Sequence, residues 1–145
     1  MLKKQIKCKD YNGQDVTVVA YFHLNKFEWL ELETYTKGGL IENLKHALEV
    51  GNAKKTIDIL KKIILTAYGE KNEETGKFEK SDTIAINFSK TEAFSELFYD
   101  LAYNAESSGA FFTELIPEEL RTDVKQMMDT QKPVVIESMN DQQDQ

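Results

Sequence analysis

The sequence predicts an α+β fold, with an N-terminal β-hairpin docked on a mainly α-helical body of five to six helices. Two observations predict it. In the first 24 residues, apolar and polar side chains alternate before Asn12-Gly13, a pair that accepts the positive φ angles of a tight hairpin turn, and a mainly apolar segment follows it. Beyond that point, apolar residues recur at spacings of three and four, which is the period of an amphipathic helix.

The length and hydrophobic content of the chain suit one domain. It has 145 residues, of which 41% are hydrophobic, and this is enough to build a core. We expect a single globular domain over residues 1–129, with the hairpin in 1–24 and the helical body in 25–129. A flexible polar tail is expected over residues 130–145, which are rich in glutamine and aspartate.

Charge and cysteine content limit the possible functions. Acidic residues number 25 against 18 basic, and the net charge of −7 argues against a nucleic-acid partner, because such binding depends on neutralising phosphates. A basic protein partner is compatible with this charge. The lone Cys8 cannot form an internal disulfide, and no apolar run approaches the ~20 residues that a membrane span requires. We therefore expect a soluble, cytoplasmic protein without a membrane partner.

The second strand of the hairpin is apolar on both faces. A strand of this kind is expected to be covered on both sides, by helices or by another subunit, so self-association is one possible outcome. One face carries Val16, Val18, Ala20, Phe22 and Leu24, and the other carries Val19 and Tyr21.

Capping signals place the first helices. Asn25 followed by Glu28 has the pattern of a capping box, and the helix that it opens is expected to end before the glycines at 38–39. A second helix is predicted over about residues 40–50.

A third helix and a polar connection follow. The helix is predicted over residues 53–68, with Gly69 as a left-handed C-terminal cap. Residues 70–80 are highly charged and predict a surface loop or short turn. A brief helix is then expected to begin at Ser81.

Residues 89–117 hold the densest set of aromatic and aliphatic side chains. Ser89 with Glu92 predicts the cap of a helix, and residues 107–109 are expected to weaken it before a second short apolar segment. Pro117 is expected to open a last helix. The predicted apolar stripe consists of Phe94, Leu97, Phe98, Leu101, Ala102 and Ala105.

Three aromatic residues beside this stripe are candidate partner-binding residues. Tyr99, Tyr103 and Phe112 either form the wider edge of the core or present a surface to a protein partner, for which tyrosine is favoured. The apolar run in the polar tail is a second candidate. Its residues Val134, Val135 and Ile136 form either a docking segment or a non-specific hydrophobic interruption.

The sequence contains no recognisable catalytic or cofactor-binding motif. His23 and His46 have no ligand spacing, and Gly76-Lys77 lacks the preceding strand, the glycine spacing and the following Ser or Thr of a phosphate-binding loop. We therefore expect no enzyme activity, cofactor or metal. A small regulator or an enzyme using either histidine is the least favoured hypothesis.

The order of several sequence segments resembles the tail assembly chaperones of long-tailed phages of Gram-positive bacteria. The segments are YFHLNKFEWLELE after the hairpin, YGEKNEETGKFEKS from Tyr68, F-x-x-T-E-A-F-S-E-L-F-Y-D-L from Phe88, and FFTELIP from Phe111. Together with the opening hairpin, which is also similar to the start of that family, they extend over roughly residues 1–117.

This resemblance implies a protein without catalytic activity or cofactor that is absent from the mature virion. It implies a chaperone that binds the tape-measure protein and holds it soluble until tail-tube subunits, a second kind of partner, polymerise around it. The alternative is a structural tail or head-tail connector subunit of the virion.

Overall fold

The computed structural model describes residues 1–118 and contains a β-hairpin, six helices and a second, smaller hairpin. The predicted α+β class, with a hairpin docked on a helical body, is confirmed. The predicted polar tail over residues 130–145 lies outside the described residues. So does the helix predicted from Pro117, except for its first two positions. The elements are β1 Leu2–Lys9, β2 Asp15–Phe22, α1 Lys26–Tyr35, α2 Leu40–Val50, α3 Ala53–Ala67, β3 Tyr68–Lys71, β4 Phe78–Glu79, α4 Asp82–Ser89, α5 Glu92–Tyr103 and α6 Ala105–Leu115.

The strands form one antiparallel sheet in the order β1-β2-β3-β4. The β1–β2 register runs from Leu2 opposite Phe22 to Lys9 opposite Asp15. Alternate residues of each strand therefore face the helices, and the intervening residues face away from them. This register fixes which side chains of the hairpin are available to a partner.

The turn between β1 and β2 differs from the predicted tight turn. Gly13 has a φ of 77°, whereas no non-glycine residue, Asn12 included, has a positive φ in residues 1–118. The Asp10 side chain instead accepts hydrogen bonds from the backbone amides of Asn12 and Gln14, each at 2.9 Å. An aspartate that satisfies the loop amides in this way stabilises a longer connection, which periodicity alone did not reveal.

The structure of the region after α3 also differs from the predicted one. α3 ends at Ala67, and Gly69 is not a left-handed cap but an extended residue of β3, paired with Tyr21 of β2. Part of the predicted loop over 70–80 is thus a small β3–β4 hairpin, with Gly76 in its turn at a φ of 71°. Pairing with a distant strand overrides the local signal for a helix cap.

The cap of α5 lies two residues after the predicted one. Ser89 belongs to α4, where its hydroxyl donates to the carbonyl of Ile86 at 2.6 Å. The capping acceptor is the Thr91 side chain, which accepts from the amide of Phe94 at 3.1 Å. Leu97 and Leu101 of the predicted apolar stripe are fully buried, whereas Ala105, predicted in the same stripe, belongs to α6 because the chain breaks at Asn104.

The break after α5 lies at Asn104 and not over residues 107–109. The Asn104 side chain accepts from the amides of Glu106 and Ser107, each at 3.1 Å, and so caps α6. α6 then continues through Gly109. The cap stabilises the helix start by about 1 kcal/mol, which offsets the roughly 1 kcal/mol that a helical glycine costs.

An aromatic cluster joins the sheet to the helices. The ring centroid of the fully buried Phe22 lies 5.2 Å from that of Phe111, 5.7 Å from that of Tyr68 and 6.0 Å from that of Phe88. The rings of Tyr68 and Phe88 stack at 3.8 Å. Burial, together with its hydrogen bond to Glu70, raises the pKa of the Tyr68 hydroxyl above its usual value, so this ring stays neutral in the core.

Lys80 connects the segment after β4 to the start of α1. Its ammonium group donates to the backbone carbonyl of His23 and to the Glu28 carboxylate, the latter at 2.6 Å. Glu28 also accepts from the amide of Asn25, which completes the predicted capping box of α1. Because the Lys80 and Glu28 side chains are mostly buried, this ion pair is better protected from solvent screening than a surface pair.

We expect Lys80→Met to lower the free energy of unfolding by about 1–3 kcal/mol, because it leaves the Glu28 carboxylate and the His23 carbonyl without this donor. Methionine retains most of the apolar part of the lysine side chain, so the loss of stability measures mainly the effect of removing the charge. Urea unfolding measures the change, and Lys77→Met, at an exposed position of the preceding turn, is the control. Equal stabilities of the two variants would contradict a role for this ion pair.

Candidate partner-binding surfaces

Two tyrosines form a stacked pair on the solvent-facing side of α5. Tyr99 and Tyr103 are 62% and 49% exposed, and their ring centroids lie 4.4 Å apart with an angle of 21° between the planes. The Tyr99 hydroxyl donates to that of Tyr103 at 3.1 Å. The pair is a preformed aromatic surface.

Acidic side chains share this side of α5. Glu92, Glu96 and Asp100 are exposed and follow one another at intervals of four, so they form one row beside the tyrosine pair. α5 contains no lysine or arginine. The surface therefore suits a partner that offers both apolar and basic side chains.

The structure does not bring the third predicted aromatic residue to this surface. Phe112 is 1% exposed, and its ring packs edge-on against that of Phe111 at 5.3 Å. Both belong to the face of α6 that covers the core. Tyr99 and Tyr103 thus form the exposed part of the predicted set, and Val134, Val135 and Ile136 lie outside the described residues.

A second exposed apolar surface lies on α1 and was not predicted. Trp29 and Leu32 pack into the core, whereas Phe27 and Leu30 are 67% and 56% exposed and Tyr35 is also exposed. At about 100° per residue, Phe27 lies opposite the two buried residues, and Leu30 lies about 60° from Phe27. The sequence therefore contained the signal for a helix that is apolar on both sides. We call Phe27 and Leu30 the α1 outer face.

The third surface is the side of the hairpin that faces away from the helices. The register places Val19 and Tyr21 of β2 there, opposite Gln5 and Lys3 of β1. Val19 is 42% exposed, so the helices of residues 1–118 leave this side of the strand uncovered. Of the two coverings that the sequence predicted, helices or another subunit, these helices do not supply the first. We call Lys3, Lys7, Val19 and Tyr21 the sheet outer face.

Comparison with known proteins identifies the family. The family model described as phage tail assembly chaperone matches residues 1–145 of the chain. The chain belongs to the phage tail assembly chaperone family. The resemblance inferred from the ordered segments is thereby confirmed. No curated protein and no solved structure matches the chain.

An open cleft of about 750 Å³ in the chaperone lies between the end of the hairpin and the start of α5. Lysines and acids line it, among them the ion pair of Lys9 and Asp15 at 2.6 Å, whose side chains are exposed. Such exposed charges are well solvated and form a hydrated surface.

The histidines of the chaperone lie on its surface. His23 and His46 are both exposed, and partial burial and the nearby positive charges of the N-terminus and Lys80 lower the pKa of His23. Within residues 1–118, no cluster of three His, Cys, Asp or Glu side chains could hold a metal ion. None of the helices over that range is long and apolar enough to cross a membrane.

Proposed function

We propose that this tail assembly chaperone binds the tape-measure protein and keeps it soluble in the host cytoplasm until tail-tube subunits polymerise around it. It acts without catalysis or cofactor and is absent from the mature virion. The family supports a protein partner in tail assembly, and the resemblance of the ordered segments supports the tape-measure protein as that partner. The observation that carries the proposal is the exposed tyrosine pair on the acidic side of α5.

Stacking makes this pair suitable for binding a client. Two rings already held 4.4 Å apart lose little further freedom when a partner covers them, so most of their apolar contact stabilises the complex. The acids at Glu92, Glu96 and Asp100 favour client segments in which lysine or arginine alternates with apolar residues. Such contacts are individually weak, and a long client can bind many chaperone copies through repeated segments.

We expect the double variant Tyr99→Ser/Tyr103→Ser to reduce the tape-measure protein recovered in complex by at least about tenfold. Loss of an anchoring tyrosine costs about 1–2 kcal/mol, and about 1.4 kcal/mol is tenfold in affinity. Both side chains are exposed, so the fold is retained and the unfolding temperature changes little. The measurement is co-expression with the tape-measure protein, followed by affinity capture and quantification of the soluble client.

The control is Tyr11→Ser, which removes a fully exposed tyrosine from the β1–β2 turn. It should leave client recovery unchanged. Equal recovery with the double variant and with wild type would exclude the tyrosine pair as the client surface. Failure of wild type to solubilise any tape-measure protein would contradict the proposed function itself.

The protein content of purified virions distinguishes this proposal from the alternative, in which the chain is a structural subunit of the virion. A chaperone is absent from them, whereas a tail or head-tail connector subunit is present in stoichiometric amount by quantitative mass spectrometry. Residues 134–136 remain a proposed second docking segment for the client.

A further inference from the structure

The tyrosine pair and the acidic row of α5 form one surface with a definite chemistry. Tyr99 and Tyr103 stack on each other. Beside them the acidic row runs from Glu92 through Glu96 to Asp100, about 12 Å along the helix. We call these five exposed residues the α5 outer face. A segment that covers it needs apolar side chains in one line and basic side chains in the next line.

The sequence that follows the described residues has this composition. Residues 119–132 lie between Pro117 and Pro133, and proline is common at the first position of a helix and just after its end. The apolar residues of the segment recur at intervals of three and four, which predicts one face of a helix. They are Leu120, Val124, Met127 and Met128.

The charged residues of the segment are sorted by sign around the predicted helix. At about 100° per residue, Arg121, Lys125 and Lys132 fall within about 40° of one another, on one flank of the apolar face. Helices that bind in grooves use apolar anchors at this spacing, and the basic flank supplies the charge that an acidic surface favours. The acids, which fall on the opposite flank or behind, are Glu119, Asp123 and Asp129.

The segment begins next to α5. α6 packs against α5 and ends at Leu115, and the described chain ends three residues later at the exposed Glu118. Ile116 between them has an extended backbone with φ −79° and ψ 142°, so the chain changes direction there. In the predicted helix, Leu120 and Met128 are about 12 Å apart, which is also the length of the acidic row.

We propose that residues 119–132 of this chain dock on the α5 outer face and are displaced from it by the client. The apolar residues of the segment cover the tyrosine rings, and Arg121 and Lys125 lie against the acidic row. The segment is tethered beside the surface at an effective concentration on the order of millimolar, so weak contacts are enough to hold it.

Docking regulates client binding, and this consequence rests on the proposed function. The segment and the client both offer basic and apolar side chains to the same surface, so they compete for it. A surface that is free only about one-tenth of the time binds its client about tenfold more weakly than an open one. The docked segment also covers the exposed rings while no client is bound.

Zero-length cross-linking of the full chain tests the docking without any client. A carbodiimide joins a lysine amine to a carboxylate only where the two groups touch. We expect peptide mass spectrometry of the monomer to find Lys125 joined to Glu92, Glu96 or Asp100. Lys61, an exposed lysine of α3, is the internal control and should not be joined to these acids. A mixture of isotopically labelled and unlabelled chains shows whether each cross-link lies within one copy.

The variant Val124→Ser/Met128→Ser removes apolar contacts but keeps Lys125 in place. It should reduce the yield of these cross-links at least about fivefold. The control Val135→Ser/Met139→Ser makes the same changes outside the segment and should leave the yield unchanged. Tyr99→Ser/Tyr103→Ser changes the other side of the contact, and it should lower the yield as the first variant does.

Absence of the Lys125 cross-links, cross-links only between different copies, or a yield that neither variant lowers would overturn the docking.

Recovery of the tape-measure protein tests the competition. On co-expression and affinity capture, Val124→Ser/Met128→Ser should recover about threefold to tenfold more client than wild type, because its α5 outer face is open. Cross-links that disappear in this variant without a rise in recovered client would overturn the competition. If no form of the chain binds the tape-measure protein, the proposed function is contradicted, whereas the cross-links still decide whether the segment docks.

Discussion

Replacing Phe22 with alanine is expected to lower the free energy of unfolding by about 3–5 kcal/mol, the largest effect of any single change that we predict. Phe22 is fully buried, and its ring contacts those of Tyr68, Phe88 and Phe111. These rings come from β3, α4 and α6, so no one of these elements can move to fill the cavity without disturbing the others. Small domains have total stabilities of only about 5–15 kcal/mol, so this loss is a large share of the total.

Phe27→Ala is the matched control, because the same side chain is removed from an exposed position. We expect a change within about 0.5 kcal/mol. Urea unfolding followed by the fluorescence of the single, buried Trp29 gives both values. A small loss at Phe22, similar to that at Phe27, would show that the aromatic cluster does not hold the sheet to the helices.

Gly69→Ala is expected to lower the free energy of unfolding by about 1–3 kcal/mol through overpacking. A Cβ at this position would lie 2.4 Å from Cζ of Phe78 and 2.7 Å from the backbone carbonyl of Glu79. The carbonyl belongs to β4, so relief of the clash requires the β3–β4 pairing to open. Removal of the ring in a Gly69→Ala/Phe78→Ala double variant should therefore rescue only part of the loss.

Gly109→Ala is the control, and for it we expect a stability change of opposite sign. Gly109 lies inside α6, and a Cβ there would meet no atom within 4 Å. Alanine is favoured over glycine within a helix by roughly 0.5–1 kcal/mol, so this variant should be stabilised. Thermal unfolding of the two variants and of wild type measures both changes in stability. A Gly69→Ala variant that is more stable than wild type would show that β4 does not lie against this glycine.

Local signals in the sequence were enough to predict several elements. The capping box of Asn25 and Glu28 opens α1, and α2 has its predicted bounds with Gly51 as a left-handed C-cap at a φ of 69°. Each of these features depends on residues a few positions apart, whose side chains and backbone groups interact regardless of the rest of the fold. The family resemblance, which depends on the order of segments, was also available from the sequence.

The predicted helix boundaries were wrong where several local signals competed. Ser89 and Thr91 are both acceptable caps, and only the position of α4 against the core selects Thr91 for α5. Asn104 similarly outweighs the helix-weakening effect of Gly109. In each case the sequence predicted that a helix exists but not where it begins.

The sequence by itself determined the α+β class, the hairpin, most helices and the tyrosine-rich, acidic character of α5. Tertiary structure decided that Gly69 enters a strand, because a contact with β2 about 48 residues earlier in the chain outweighs a local cap. It also decided which apolar residues stay exposed: Tyr99 and Leu30 do, and Phe112 does not. The physical reason is that a periodic pattern places side chains on the faces of an element, whereas the packing of distant elements decides which faces are covered.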